Sequence, residues 1–281
     1  MVPARLLSIA GSDSSGGAGI QADLKAFAAH GAYGMTAITA ITAQNTLGVS
    51  AVLALPPALV AAQIDAVFAD PGVDAVKIGM LSDGPIIAAV AASLELALAN
   101  ARVPVVLDPV MIAKSGDALL DAGAVEELHR LYPLATLLTP NLPEAQRIDG
   151  GGEPGATATL ADRERLVRRL GRHCAAVLLK GGHAEGTEVV DLLWDGSSLH
   201  SFRHPRLASR STHGTGCSLS SAIAARLGRG EPLVAAVSGA IAWLHEAIAR
   251  AMPIGAGIGP VDPFWHQRPA ALPAIESRCF A

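Results

Sequence analysis

Short runs of aliphatic and β-branched residues alternate with helix-forming segments along most of this chain of 281 residues. The strand-like runs are residues 6–10, 34–43, 49–55, 75–80, 103–107, 135–138 and 176–179. Parallel neighbours in a sheet need a crossover between them, and that crossover is usually a helix. The alternation therefore predicts an α/β fold with a mostly parallel central sheet and helices on both faces.

Two segments bear on domain organisation. Asp149–Gly155 is glycine-rich but short, so we interpret it as a surface loop and not as a domain boundary. Residues 187–194 and 198–204 flank Asp195-Gly196, which is a typical hairpin turn. We expect one domain over residues 1–281, with a flexible tail from about residue 262.

Charge and composition argue against several classes of function. The chain has 21 Lys and Arg against 25 Asp and Glu and no basic run, which argues against binding to nucleic acids or membrane surfaces. The apolar segment 85–101 contains Ser93 and Glu95 and predicts a buried helix, not a membrane span. The run after Arg5 is too short for a signal peptide, and the three cysteines have neither disulfide nor metal-ligand spacing. We expect a cytoplasmic protein.

The segment Ser211–Ala222, STHGTGCSLSSA, passes from a glycine turn into an alanine-rich helix. Around Gly214, Thr215 and Gly216, backbone N–H groups and the positive end of the helix dipole provide a site for a phosphate or a developing anion. Cys217 follows in the first turn, where the same field favours a thiolate. The alternative is an ordinary core helix in which Cys217 is a small buried residue.

A second glycine-rich loop, Gly11–Gly19, lies between the first strand and a helix over about residues 20–30. This order is typical of loops that bind small molecules or phosphates in α/β proteins. A dinucleotide-binding fingerprint has the same order but requires an acidic residue about 20 positions further along. No Asp or Glu occurs between Asp23 and Asp65, so the small-molecule interpretation is favoured.

Polar side chains follow several of the predicted strands. They are Gln44, Asp108, Asn141 with Glu144, and Lys180. Open α/β sheets bind ligands at the carboxyl ends of their strands, so these side chains are expected to form one site. Taken singly, each has a simpler explanation, because Asp and Asn are common helix N-caps and Gln44-Asn45 is a common turn pair.

Several motifs occur together in an order that resembles a known enzyme family. They are AGSDSSGGAGIQADLK, AITAQNT, KIGML, LDPVM followed by AKSGD, TPNLPEA, LKGGH, STHGTGC and GIGPV. Through them the chain, from about Leu6 to Val261, resembles the bacterial hydroxymethylpyrimidine and phosphomethylpyrimidine kinases of thiamine biosynthesis. The resemblance implies a ribokinase-like three-layer αβα fold, a requirement for ATP and Mg²⁺, and a homodimer. It also implies two successive phosphorylations of 4-amino-5-hydroxymethyl-2-methylpyrimidine.

The resemblance assigns a substrate pocket to residues from four parts of the chain. Gln44 is expected to read the aminopyrimidine, and Met80 and Val110 are expected to form apolar walls of the pocket. Gly11 and Asp13, in the first glycine-rich loop, are assigned to the same pocket. The run Asp149–Gly155 has no counterpart in the family's motifs, so only the path of that loop departs from the family pattern.

The remaining roles concern ATP, the metal ion and the reacting groups. The loop from Gly214 to Cys217 resembles the anion hole of the family. Lys180, Asn141 and Thr212 are expected on the ATP side.

Two carboxylates are assigned to the metal. Glu144, in an Asn-x-x-Glu element, and Asp108 are expected on the side of Mg²⁺. Phosphoryl transfer requires positioning, a metal clamp and hydrogen-bond donors at the oxygens that gain charge, and these groups can supply all three.

Cys217 stands where most ribokinase-like enzymes have an aspartate base. The first acceptor is an alcohol, which must lose a proton, whereas the second is a phosphate monoester that is already largely ionised at neutral pH. We therefore expect Cys217 to matter more for the first phosphorylation than for the second. Two alternatives to this function are a pyridoxal kinase with the same fold and a precursor-binding protein without turnover.

Overall fold

In a computed structural model, which describes residues 2–99, 102–111, 123–150 and 159–267, nine strands form one sheet. The strands are β1 (Arg5–Asp13), β2 (Tyr33–Gln44), β3 (Val49–Ala54), β4 (Ala75–Ile78), β5 (Val105–Leu107), β6 (Leu137–Leu138), β7 (Val177–Leu179), β8 (Glu188–Trp194) and β9 (Leu199–Pro205). Their order across the sheet is β3-β2-β1-β4-β5-β6-β7-β8-β9.

The six central strands, β2-β1-β4-β5-β6-β7, are parallel to one another. At the two edges, β3 pairs antiparallel with β2, β8 pairs antiparallel with β7, and β9 pairs antiparallel with β8. Every residue of β4, β5, β6 and β7 is buried. Strands buried on both faces read as continuous apolar runs, which is why these segments lack polar alternation. The predicted mostly parallel sheet is confirmed, and so is the hairpin around Asp195-Gly196.

Helices cover both faces of the sheet. They are α1 (Gly19–Ala29), α2 (Pro57–Ala69), α3 (Gly84–Leu98), α4 (Ala124–Glu127), α5 (Leu142–Ile148), α6 (Leu160–Leu170), α7 (Thr215–Gly228) and α8 (Leu233–Ala249). One apolar core includes Phe27 of α1, Ile223 of α7 and Val237 of α8. The other includes Ile64 of α2, Val90 of α3 and Leu166 of α6. The predicted three-layer αβα architecture is confirmed.

Some element boundaries differ from the sequence-based expectations. The helix expected over residues 122–131 is the short α4 followed by two 3₁₀ turns, Leu128–Arg130 and Tyr132–Leu134. Pro133 has no N–H to donate to the carbonyl of His129, four residues earlier, which disfavours continuation of an α-helix through this position. β1 extends to Asp13, past a register shift between Ala10 and Ser12, and thus brings the first glycine-rich loop into the sheet.

Parts of three predicted segments lie outside the described residues. They are residues 113–117, the whole AKSGD motif, residues 151–155 of the glycine-rich loop, and residues 268–281 of the tail. Residues 262–267 are described, and Phe264 and Trp265 pack against the core formed by α1, α7 and α8. Within the described ranges, no helix combines the length and the apolar character needed to cross a membrane.

Candidate active site

A cavity of about 650 Å³ lies at the carboxyl ends of β1, β4, β5, β6 and β7. Every residue that the sequence analysis assigned to the site lines this cavity. They are Gly11, Asp13, Gln44, Met80, Asp108, Val110, Asn141, Glu144, Lys180, Thr212, Gly214, Thr215, Gly216 and Cys217. The topology brings them together because each lies at or just after the carboxyl end of a strand, or in the loop and first turn at the start of α7.

The loop before α7 is shaped by Gly214. Its φ is 74°, and a Cβ at this position would lie 1.8 Å from the carbonyl oxygen of Gly17. Only glycine meets both conditions. The two glycine-rich loops are therefore in contact, and α7 begins without a side-chain cap. Its first-turn N–H groups, at residues that line the cavity, are suited to an anion.

The carboxylate of Asp13 joins these two loops. One oxygen accepts hydrogen bonds from Ser15, and the other accepts from the N–H groups of Gly17 and Ala18 and lies 2.8 Å from Nε2 of His213. Burial alone would raise the pKa of Asp13, but the hydrogen bonds from His213, Ser15 and Ala18 outweigh it and lower the pKa to about 2. This geometry favours loop positioning by Asp13, and its direct contact with substrate stays a prediction.

Gln44 and Met80 lie at the end of the cavity next to this loop. Oε1 of Gln44 accepts a hydrogen bond of 3.2 Å from Thr42, and Nε2 of Gln44 is 3.4 Å from Nε2 of His213. The turn explanation applies to Asn45, whose side chain accepts from two N–H groups of the following loop. Gln44 itself faces the cavity, and its role in reading a pyrimidine stays a prediction.

Lys180 and Asp108 form a buried ion pair beside the anion loop. Nζ of Lys180 is 2.7 Å from Oδ1 of Asp108, which also accepts from Thr139. A Cβ on Gly216 would lie 3.3 Å from Nζ of Lys180, so the ammonium borders the loop. Burial lowers the pKa of Lys180, but the charges of Asp108 and Glu144 outweigh this effect, and the pKa is raised. Lys180 is thus a fixed positive charge in the cavity wall.

Asn141 and Glu144 form a capping box at the start of α5. The Asn141 side chain accepts from the Glu144 N–H at 2.9 Å, and the Glu144 carboxylate accepts from the Asn141 N–H at 2.8 Å. The helix-capping explanation therefore holds for Asn141. Burial raises the pKa of Glu144 to about 7, against the lowering effect of Lys180 and with a further rise from Asp108.

The carboxylates of Glu144 and Asp108 are the groups that fit a metal ion. No cluster of three or more His, Cys, Asp or Glu with metal-binding geometry occurs among the described residues. Mg²⁺ in phosphate-transferring sites is commonly held by one or two carboxylates together with water and substrate phosphates. The raised pKa of Glu144 is consistent with such a site, because a nearby cation would offset the unfavourable negative charge.

The expectation of a thiolate at Cys217 is wrong. Cys217 lines the cavity and is partly exposed, but the packing around its sulfur raises the pKa to about 11. Lys77 and the N–H of Gly19 act in the opposite direction, while Asp23 and Asp108 raise the pKa further. Desolvation and two nearby carboxylates therefore outweigh the field of the helix start, and Cys217 is a neutral thiol at neutral pH.

Sequence analysis missed several residues that line the cavity. Lys77 lies within β4, a strand that is otherwise apolar, and a lysine inside a buried strand was an available signal. His213 belongs to the STHGTGC motif and also lines the cavity, but no role was assigned to it from the sequence. At the other end of the cavity, His204 and His245 approach each other with ring centroids 5.3 Å apart. Nothing local in the sequence indicated that these two histidines meet.

Comparison with known proteins gives the same assignment from several sources. The family model for phosphomethylpyrimidine kinase matches residues 13–262. The hydroxymethylpyrimidine/phosphomethylpyrimidine kinase of Rhizobium meliloti is 53% identical over 261 residues, which cover 92% of this chain and 96% of that protein. The thiamine biosynthesis bifunctional protein of Geobacter sulfurreducens is 50% identical over 262 residues, and the chain spans only 51% of its length.

A solved structure shows the same fold. The pyridoxal kinase of Staphylococcus aureus in complex with AMP-PCP and pyridoxal superposes with a TM-score of 0.85 at 32% identity, covering 95% of this chain and 96% of that one. The fold is thus shared with a kinase of another substrate, whereas sequence identity is higher to the pyrimidine kinases. The family match over most of the sequence shows that the chain belongs to the phosphomethylpyrimidine kinase family, a family of phosphotransferases.

Proposed function

We propose that this protein is an ATP- and Mg²⁺-dependent kinase that phosphorylates 4-amino-5-hydroxymethyl-2-methylpyrimidine and then its monophosphate. The observation that supports the proposal most directly is that one cavity contains both a phosphate-binding loop and a pocket suited to the acceptor. Across the sheet, the Lys180–Asp108 pair follows β7 and β5, which lie between β2, ending at Gln44, and β9, containing His204. All four residues line the same cavity as the anion loop. A phosphate at the loop would therefore have room for an acceptor on one side and for the rest of the nucleotide on the other.

The end of the cavity that contains Gln44 is chemically complementary to an aminopyrimidine. The Gln44 amide offers both a donor and an acceptor, which match a ring nitrogen beside an exocyclic amine. Met80 and Val110 provide apolar surface for the ring. In this arrangement the acceptor oxygen would point towards the first turn of α7, where N–H groups can stabilise developing negative charge.

The chain's own groups position and neutralise the phosphates. Lys180 supplies a fixed cation, and the N–H groups of the loop from Gly214 to Cys217 supply donors. Glu144 and Asp108 would hold Mg²⁺, which when bound neutralises charge on the phosphate oxygens. The raised pKa of Cys217 makes the neutral thiol its resting form, so the thiol must first lose its own proton to solvent. The resulting thiolate, the minor form at neutral pH, would then accept the proton of the alcohol.

Pyridoxal kinase is a second candidate, favoured by the close structural likeness to the Staphylococcus aureus enzyme. The deciding experiment is product identification by mass spectrometry after incubation with ATP and Mg²⁺ and either acceptor. We expect the pyrimidine monophosphate followed by its diphosphate. Pyridoxal phosphate without any pyrimidine diphosphate would replace the proposal with the second candidate. Binding of the pyrimidine without any product would indicate a precursor-binding protein.

We also propose that the protein is a homodimer through its β2–β3 edge. Ile41 of β2 lies directly opposite Leu53 of β3, and both are exposed, at 42% and 67%. Leu47, in the turn between the two strands, is 69% exposed. An edge strand with exposed apolar residues is suited to cover by a second copy.

A further inference from the structure

A buried ion pair, formed by Lys77 and Asp23, lies among β1, β4, α1 and α7. Lys77 of β4 and Asp23 of α1 have fully buried side chains, and Nζ of Lys77 lies 2.9 Å from each oxygen of the carboxylate. Asp23 also accepts from Ser8 of β1 at 2.6 Å and from Ser221 of α7 at 2.7 Å. The carboxylate thus connects α1, β1, β4 and α7.

The pair is oriented with its positive end towards the cavity. Lys77 lines the cavity and Asp23 does not. A Cβ on Gly79 would lie 2.7 Å from Nζ of Lys77, so glycine leaves the space that the ammonium occupies. Ser221, which holds Asp23, lies one helical turn after Cys217 on α7. The ammonium is consequently the end of the pair nearer to the start of α7.

Stability does not require an ion pair at this position. Removing two ions from water is unfavourable, and apolar residues of similar volume often stabilise a protein as well as a buried pair does or better. By contrast, a fixed dipole aimed at a place where negative charge develops is useful in a water-excluded site.

We propose that Lys77 is a positioning residue for phosphoryl transfer: held by Asp23, its ammonium stabilises negative charge that forms at Cys217 and at the acceptor oxygen beside the first turn of α7. The reaction-related part of this inference rests on the proposed kinase function. Four charged groups influence Cys217 or are influenced by it: Lys77 from β4, Asp23 from α1, Asp108 after β5 and Lys180 after β7. Lys180 and its partner Asp108 both line the cavity, whereas only the Lys77 end of the Lys77–Asp23 pair does, so this second pair presents its positive end to the cavity.

The test uses the double variant Lys77→Met/Asp23→Asn, which removes both charges. The asparagine oxygen accepts from one of Ser8 and Ser221, and its NH2 group can donate to the hydroxyl of the other. Iodoacetamide alkylation of Cys217 at pH 8.5 reports how readily the thiol ionises. Trypsin releases Cys217 and Cys174 on separate peptides, residues 211–226 and 173–180, so mass spectrometry follows each thiol. We expect Cys217 alkylation to become roughly tenfold slower, equivalent to about one pKa unit.

Arg5→Met/Asp74→Asn is the matched control. It neutralises an ion pair at the start of β1 that does not line the cavity, and Cys217 alkylation should stay unchanged. In kinase assays, the Lys77/Asp23 double variant should lose roughly tenfold in kcat with little change in KM, because the pair contacts neither substrate directly.

Two outcomes would overturn the inference. One is a folded Lys77/Asp23 variant with unchanged alkylation and unchanged kcat, which would make the pair a structural element only. The other is a double variant that fails to fold, which would make stability the reason for the pair. A slower alkylation in a protein without pyrimidine kinase activity would instead support the electrostatic role and contradict the proposed function.

Discussion

The Asp13 carboxylate holds the two glycine-rich loops together, so the substitution Asp13→Asn should weaken both the fold and the acceptor pocket. Asp13 is 2% exposed and accepts hydrogen bonds from Ser15, Gly17 and Ala18 in addition to its contact with His213. Asparagine keeps the shape of the side chain but has one acceptor oxygen and no charge. Part of this network must therefore be lost.

The magnitude follows from the pKa of Asp13. A shift from the ordinary value of 3.8 to about 2 corresponds to about 2 kcal/mol of stability at neutral pH. Because the pKa is lowered in the folded protein, this stability is fully present above the ordinary pKa. It is lost as the pH falls through about 2. The difference between the unfolding free energies of the wild type and Asp13→Asn should thus be largest near pH 7 and should narrow as the pH falls from about 4 to about 2.

Urea unfolding at pH 7 and at pH 3 measures this difference, with Asp74→Asn as the control. Asp74 pairs with Arg5, but its side chain is 32% exposed, so Asp74→Asn should lower the free energy of unfolding by less than about 1 kcal/mol. Asp13→Asn should also raise KM for the pyrimidine through His213 and the loop, while Asp74→Asn should not. Equal unfolding midpoints for the wild type and Asp13→Asn at pH 7, or a gap that does not change with pH, would refute the reasoning.

Four further predictions concern single positions. Gln44→Ala should weaken pyrimidine binding roughly tenfold or more in calorimetry and leave ATP binding unchanged, because an unpaired buried polar edge of the pyrimidine is unfavourable by about 1–3 kcal/mol. An unchanged pyrimidine affinity would show that Gln44 does not contact the pyrimidine. Glu144→Gln should raise the Mg²⁺ concentration that gives the half-maximal rate. In the wild type this concentration should fall as the pH rises through about 7, where the Glu144 carboxyl ionises, and a normal Mg²⁺ dependence in the variant would count against a metal role for Glu144. Cys217→Ser should slow the alcohol reaction at least about tenfold more than the monophosphate reaction in initial-rate assays, and equal losses would indicate a damaged anion loop. Leu53→Lys should yield monomers in sedimentation equilibrium, and a wild-type monomer would exclude the proposed dimer.

Local sequence patterns predicted the architecture and the convergence of several polar residues of the cavity, whereas its apolar walls, Met80 and Val110, were assigned through the resemblance to a known family. Buried parallel strands read as apolar runs, and the residues after their carboxyl ends converge at one edge of the sheet. Asp108, Asn141 and Lys180 meet for this reason. The Asn-x-x-Glu spacing of the capping box is likewise a local pattern.

Properties that depend on distant residues could not be predicted in this way. The helix start suggested a lowered pKa at Cys217, but the outcome is decided by desolvation and by Asp23 and Asp108 from other elements. The role of Lys77 was hidden for the same reason, because its partner Asp23 lies 54 residues away in the sequence. Local motifs therefore predicted many of the residues that line the site, while its remaining residues and its electrostatics required the fold.

A competition assay tests the central claim most directly. The wild type is given ATP, Mg²⁺ and equal concentrations of hydroxymethylpyrimidine and pyridoxal, and the ratio of phosphorylated products at low conversion gives the ratio of kcat/KM. The account predicts that pyrimidine phosphates dominate and that Gln44→Ala shifts the ratio towards pyridoxal phosphate, because this variant loses the amide that reads the aminopyrimidine. Dominance of pyridoxal phosphate in the wild type, or a ratio that Gln44→Ala leaves unchanged, would contradict it.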